Sequence, residues 1–403
     1  MRMRSICLAA AAAGGLLASG SAMAQKRYDS GASDTEIKIG QNAPFSGPAS
    51  AYSSFSRTMQ AYFKMLNEKG GINGRKITLV ALDDGYSPPK TVEVVRKLVE
   101  DDQVLAIVGP FGTPTNAAIQ KYLNAKQVPQ LLVQSGVSRW NEPKDFPWTT
   151  PYSPSYLNEG KNIAGFILKQ NPSARIGLFM QSDDIGKEYA KGVREALGDK
   201  ANTMIVKETS YQVTDSTVDS QMLALKNAGA DVVLVGAQNK FAAQAVRKIH
   251  ELGWKPLVIL PSISNSVAGV LEPAGLEAAV GVVTTSPYKT PSDPTWANDP
   301  GMRDYLAFMK SYLPSDKPDD IIAVTGYSTA QAAAEILKRS GDDLTRANVL
   351  KQATHLEGLS LPLLLPGIVF QASGGGYPTL EETRFARFDG KTWVLFGSGT
   401  AAR

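Results

Sequence analysis

The chain has 403 residues, with 42 lysines and arginines against 38 aspartates and glutamates, a formal net charge of +4, two histidines and one cysteine. So balanced a charge, with no basic block and no acidic tail, argues against nucleic acid and bulk anionic membrane as partners. The two histidines, His250 and His355, stand alone in charged helical contexts, so no metal site is expected.

Residues 1–24 have the pattern of an export signal, with Arg2 and Arg4 at the start, an apolar run over 6–17 and the small-x-small sequence Ala22-Met23-Ala24. The run is too short to span a bilayer, which takes roughly 20 apolar residues. The single cysteine, Cys7, lies inside this segment. The mature chain then has none, as suits an envelope protein with a core large enough to need no disulfide. No later segment is an uninterrupted membrane span: the apolar stretch 359–369 is short and carries Pro362 and Pro366. The remaining length suggests two domains, at roughly 100 to 200 residues each.

Strand and helix alternate from there on. Residues 37–43 form a strand, followed by the turn-rich Pro44-Phe45-Ser46-Gly47-Pro48. Phe55, Met59, Tyr62, Phe63 and Leu66 then fall on one stripe of a helix that ends at Gly70-Gly71. Next come a strand at 77–82, a helix at 91–99, a wholly apolar strand at 104–108, a helix at 115–125 and a strand at 129–133. After a loop with four prolines, 143–154, the alternation restarts: helix 158–169, strand 175–180, helices 188–197 and 218–227, strand 231–235, helix 241–252 and strand 257–260. Apolar strands alternating with helices indicate βαβ units and a parallel sheet covered on both faces, so two α/β domains of one design are expected. A second proline-rich loop, 286–300, leads to helices at 302–312, 324–339 and 346–354 that have too few strands for a third sheet and return to the first domain.

Most candidate chemistry fails on the residues present. Gln134-Ser135-Gly136 and Gly397-Ser398-Gly399 do not fit the G-x-S-x-G turn of an exported serine hydrolase. Gly109-Pro110-Phe111-Gly112-Thr113 follows a buried strand and opens a helix, but has neither the Gly-Lys-Ser/Thr ending of a P-loop nor a dinucleotide loop's glycine spacing. Free N–H groups at that helix start, with the Thr113 hydroxyl, suit a carboxylate; the alternative is that Thr113 only caps the helix. The loop 134–138 lies beyond the carboxyl end of another strand, where open α/β sheets place ligands. Trp140, beside Arg139, is expected to pack, and the pairs Asp83-Asp84, Asp183-Asp184 and Asp319-Asp320 to cap helices.

The chain resembles the type I periplasmic substrate-binding proteins of ABC transporters, particularly the branched-chain amino acid (Leu/Ile/Val) binding group. The likeness is carried, in order, by 37–40 leading to Pro44-Phe45-Ser46-Gly47-Pro48, by 69–75, by Asp83-Asp84, by Val108-Gly109-Pro110 and by 230–233. It implies an α/β protein of two doubly wound parallel-sheet lobes joined by three crossovers, near Pro151, Thr285 and Leu359. Lobe I would comprise 25–151 and 286–359, and lobe II 152–285 and 360–403. It further implies a monomer in the periplasm, without cofactor or catalysis, that delivers a small molecule to inner-membrane permease subunits. A sensor reporting to a membrane receptor would use the same fold. The implied ligand-binding set is Tyr52, Phe111, Thr113, Gln134, Ser135, Gly136, Ile185, Gln238 and Ser262. In lobe II the resemblance places Ile185 and Gln238 where amino-acid binders carry aromatic residues, and Ser262 where they carry the acid that pairs the ligand ammonium. An unpaired buried ammonium is costly. The expected ligand therefore keeps a carboxylate and has an uncharged body, as in an aromatic or aliphatic acid; a branched-chain amino acid would need another acidic partner.

Overall fold

A computed structural model describes residues 26–396. The export signal with Cys7, and Gly397-Ser398-Gly399, lie outside them.

Two sheets organise the chain. In the first, the strands Lys76–Asp83, Glu36–Ala43, Ile107–Val108, Gln130–Val133 and Thr149–Pro151 are neighbours in that order, all parallel. Counted along the chain, the order is 2-1-3-4-5. The second sheet repeats it with Ile205–Tyr211, Ile176–Gln181, Val232–Gly236, Leu257–Leu260 and Val283–Ser286, again parallel. Two antiparallel strands, Arg384–Phe388 and Trp393–Leu395, extend it beyond Val283–Ser286. In this order the connections leave strands 1 and 3 toward opposite faces, opening a crevice at their carboxyl ends. Each lobe points such a crevice at the other.

The inner strands are apolar because helices cover both faces: every residue of Ile176–Gln181 and Val232–Gly236 is buried. Ile205–Tyr211 was not foreseen because it is an edge strand whose Lys207 and Glu208 are exposed. The expected strand at 104–108 is shorter, since only Ile107–Val108 enters the ladder, although Val104, Leu105 and Ala106 are buried. The returning helices Pro300–Tyr312 and Ile321–Ser340 join the first-lobe core, where Tyr327 packs between Tyr62 and Tyr305 at 5.1 and 5.3 Å.

The chain passes between lobes three times. The first two passages fall just after Pro151 and just after Ser286. The third lies later than the expected Leu359. Leu361, Leu363, Leu365, Ile368, Phe370 and Leu380 all belong to the first-lobe core, and the chain enters the second sheet only at Arg384. The Phe370–Gln371 and Thr379–Leu380 hairpin packs on the first passage, with Phe370 5.6 Å from Tyr152. We therefore assign 361–380 to lobe I.

Candidate functional site

The strand Ile107–Val108 ends in the loop 109–112, and the helix Thr113–Ala125 begins at once. Gly112 has φ +100°, and a Cβ there would lie 2.5 Å from the Tyr86 ring, so only glycine fits. No side chain caps this helix. Pro114 has no N–H and Asn116 N–H bonds the Gly112 carbonyl, so the N–H groups of Thr113 and Thr115 are the ones left without a helical partner at the positive end of the dipole. Thr113 is the first helical residue and Gly112 the cap position, so the reading of Thr113 as a cap does not hold. The Thr113 hydroxyl lies 2.7 Å from that of Ser135, which accepts 2.8 Å from the Trp140 indole N–H. Trp140 is buried, as packing requires.

Lobe II supplies the facing wall. Asp183 caps the helix Asp184–Leu197 by accepting from Ile185 N–H, which sets the buried Ile185 side chain against the crevice. The helix Asn239–Glu251 has no cap from its own segment either. Tyr52, from lobe I, serves instead: its hydroxyl accepts from Asn239 N–H at 3.0 Å and donates to the Ile263 carbonyl at 3.0 Å. The Tyr52 ring lies 4.9 Å from that of Phe111. The lobes also meet where Asp320, which caps Ile321–Ser340, accepts 3.0 Å from Ser266, where Ser138 donates 2.7 Å to Glu188, and at the Lys317–Glu272 ion pair. Replacing Tyr52 by phenylalanine keeps the ring and removes the hydroxyl's bonds to Asn239 and Ile263 of lobe II. Ligand affinity should fall about tenfold, mostly through faster release, as stopped-flow fluorescence would show.

Between the lobes lies a cavity of about 850 Å³, its open mouth included. Tyr52, Phe111, Thr113, Gln134, Ile185, Gln238 and Ser262 all line it. Ser135 and Gly136 do not; they line a neighbouring groove with Ser138, Asn141 and Ser155. The Tyr156 ring and the Pro154 carbonyl stand between, so close that a Cβ on Gly136 would lie 2.5 and 2.0 Å from them. Ser135 reaches the cavity through Thr113, whose hydroxyl it meets. Gln134 is partly engaged, its amide donating to the Leu132 carbonyl and to Thr329.

Sequence reasoning missed Tyr86, Tyr156, Tyr288, Asn265, Ile321 and Thr325, which also line the cavity. Tyr86, Asn265 and Tyr288 come from turns and crossovers outside the motifs, and Tyr156, Ile321 and Thr325 from the N-terminal turns of helices. It also missed Glu159. At the position where an ammonium-pairing acid was sought, Ser262 turns away: its N–H and hydroxyl donate to Glu159 at 2.7 and 2.9 Å. Glu159 accepts as well from Tyr189, at 2.6 Å, and from Thr285. Burial pushes its carboxyl up, while these donors pull it down. With four donors its acceptor sites are full, and it does not line the cavity.

No Asp, Glu, Lys, Arg or His lines the cavity among the described residues. The tyrosines add no charge, because burial pushes the hydroxyls of Tyr52, Tyr86, Tyr156 and Tyr288 well up. The other aspartates hold structure: Asp84 accepts from Asn42, Tyr86 N–H and Thr91, and Asp83 from Ser46 and Lys90. His250 and His355 are exposed, and no His/Cys/Asp/Glu group suited to a metal occurs among the described residues.

Two lobes of one design, clasped over an interior cavity, define a closing two-lobe binding protein. Residues 36–379 match the family described as periplasmic binding protein, and the chain belongs to that family, one of solute-binding receptors. The Leu/Ile/Val-binding protein homolog 1 of Brucella suis is 23% identical over 334 residues, covering 81% of this chain and 85% of that one. A substrate-binding periplasmic protein from Ralstonia solanacearum superposes with a TM-score of 0.80 at 25% identity, over 90% of this chain and 100% of that one. A solute-binding protein of an ABC transporter from R. palustris, in complex with benzoate, gives 0.77 at 19% identity, over 90% and 96%. The fold is that of the type I periplasmic binding proteins. No described helix is long and apolar enough to cross a membrane.

Proposed function

We propose that this chain is a periplasmic receptor that captures a small carboxylic acid with an uncharged body between its lobes and delivers it to the permease subunits of an ABC importer. The observation that carries this reading is the contrast within the cavity: an uncapped helix start at Thr113 on one wall, and no charged side chain on any wall. A carboxylate gains the free N–H groups and the dipole of the helix. The aromatic rings of Tyr52, Phe111, Tyr86, Tyr156 and Tyr288 suit a ring or branched chain behind it. Relatives named for Leu/Ile/Val and a neighbour bound to benzoate share the fold, so the lining residues decide between them. An α-ammonium here would meet no carboxylate on the lining, and Glu159 behind Ser262 is already saturated.

Thermal unfolding of residues 25–403 with benzoate, 4-methylpentanoate or leucine tests the class. A ligand at a hundredfold excess over its Kd should stabilise the protein by about 2.7 kcal/mol. We expect that from an acid and not from leucine; stabilisation by leucine alone would reject the reading. The pH dependence follows from the same contrast. Affinity for benzoate should stay flat between about pH 6 and 8 and fall near pH 4, as the ligand carboxylate takes up its proton. Titration calorimetry at several pH values checks this, and affinity that rises on acidification would contradict an anionic ligand.

A further inference from the structure

Resting on that reading, we infer that the ligand's body carries an uncharged hydrogen-bond donor, a hydroxyl group, which the lobe II wall recognises. Two amide side chains lead there. Asn265 is 4% exposed and Gln238 5% exposed, and both line the cavity. Asn265 donates its Nδ2 to the Thr285 carbonyl at 3.1 Å, which fixes the amide so that Oδ1 is the free end. Asn265 Oδ1 and Gln238 Oε1 are both buried without a hydrogen-bond partner among the described residues. A buried acceptor left unmatched is costly, so two on one wall of a ligand cavity mark where a donor belongs.

The surrounding groups narrow the donor's chemistry. An ammonium would satisfy both oxygens, but two neutral amides give it no counter-charge, and burial of an unpaired cation is disfavoured. A hydroxyl brings one proton and no charge, enough for one of the two oxygens, and its own oxygen can accept in turn. Backbone groups nearby do not compete: the Asn265 carbonyl accepts from the Trp393 indole at 2.8 Å and the Gln238 N–H donates to the Tyr211 hydroxyl at 2.9 Å. The two walls thus divide recognition. The Thr113 helix start takes the carboxylate of a hydroxylated acid, and Asn265 with Gln238 takes its hydroxyl. A site built for a hydroxyl rejects the analogue without one far more strongly than an apolar wall rejects an added hydroxyl.

Calorimetric titration with benzoate and its three monohydroxy isomers tests this. We expect at least one isomer to bind tenfold or more tighter than benzoate. Gln238→Leu and Asn265→Leu should each bring that ratio toward one. Asn265→Leu also removes the bond to the Thr285 carbonyl, so Gln238→Leu, whose free amide oxygen has no protein partner to lose, guards against misfolding as an explanation. Benzoate binding as tightly as every isomer would overturn the hydroxyl inference while leaving the acid reading intact. A preference that persists in both variants would likewise overturn it. Failure of all four acids to bind would overturn both.

Discussion

Replacing Glu159 by alanine should destabilise the protein by several kcal/mol, since each buried donor it leaves unmatched costs about 1–3 kcal/mol. Glu159 lies on the buried stripe of the helix Tyr156–Gln170 and gathers donors from three other segments: Tyr189, Ser262 and Thr285. Its loss strands the Ser262 N–H and three hydroxyls, each an unmatched buried group. Those segments are also the lobe II wall and the second passage between lobes, so ligand affinity should fall with stability. Glutamine is no remedy, because its Nε2 would present a donor to donors. Urea unfolding of both variants gives the measurement; a loss below about 1 kcal/mol for Glu159→Ala would show that the cluster is not structural.

The second large effect falls on the opposite wall. Thr113→Asp places a carboxylate where the ligand's carboxylate is proposed to sit, among the free N–H groups of the helix start. An acid in a first helical turn favours the dipole, so folding should survive. Affinity for benzoate should nevertheless drop a hundredfold or more, because the new side chain occupies the donors and repels the anion. Thr113→Val, which removes only the hydroxyl and its link to Ser135, should cost about tenfold. Equal, small effects of the two substitutions, with unfolding midpoints unchanged, would place the carboxylate elsewhere.

The fold was legible because its inner strands are continuous apolar runs. Val232–Gly236 and Leu257–Leu260 read as strands without any partner in view. Elements at the edges were not. Ile205–Tyr211 has one covered flank and carries exposed Lys207 and Glu208, so its pattern is that of a loop. Arg384–Phe388 is five residues long, with Arg387 exposed. The passage that the resemblance puts near Leu359 comes later, because Leu361, Leu363 and Leu365 fill the first-lobe core.

The site divided in the same way. Tyr52, Phe111 and Thr113 fall between a strand and the body of the helix that follows it in a regular βαβ pattern, and the resemblance carried them to the cavity. Tyr86, Tyr288 and Asn265 reach it from turns and crossovers, where no periodicity marks a side chain's direction. Glu159 did leave a signal. Tyr156, Glu159, Gly160, Ile163, Ala164 and Ile167 share one helix face, and a carboxylate on an otherwise apolar stripe must find buried donors.

The central claim is that this cleft holds an acid without an amine. Isothermal titration of residues 25–403 with benzoate and with leucine tests it most directly. One-to-one binding of benzoate, with leucine at least about a hundredfold weaker, is the result the uncharged cavity predicts. Tight binding of leucine with none of benzoate would contradict it, and would mean that a carboxylate not lining the closed cavity reaches the ligand's ammonium.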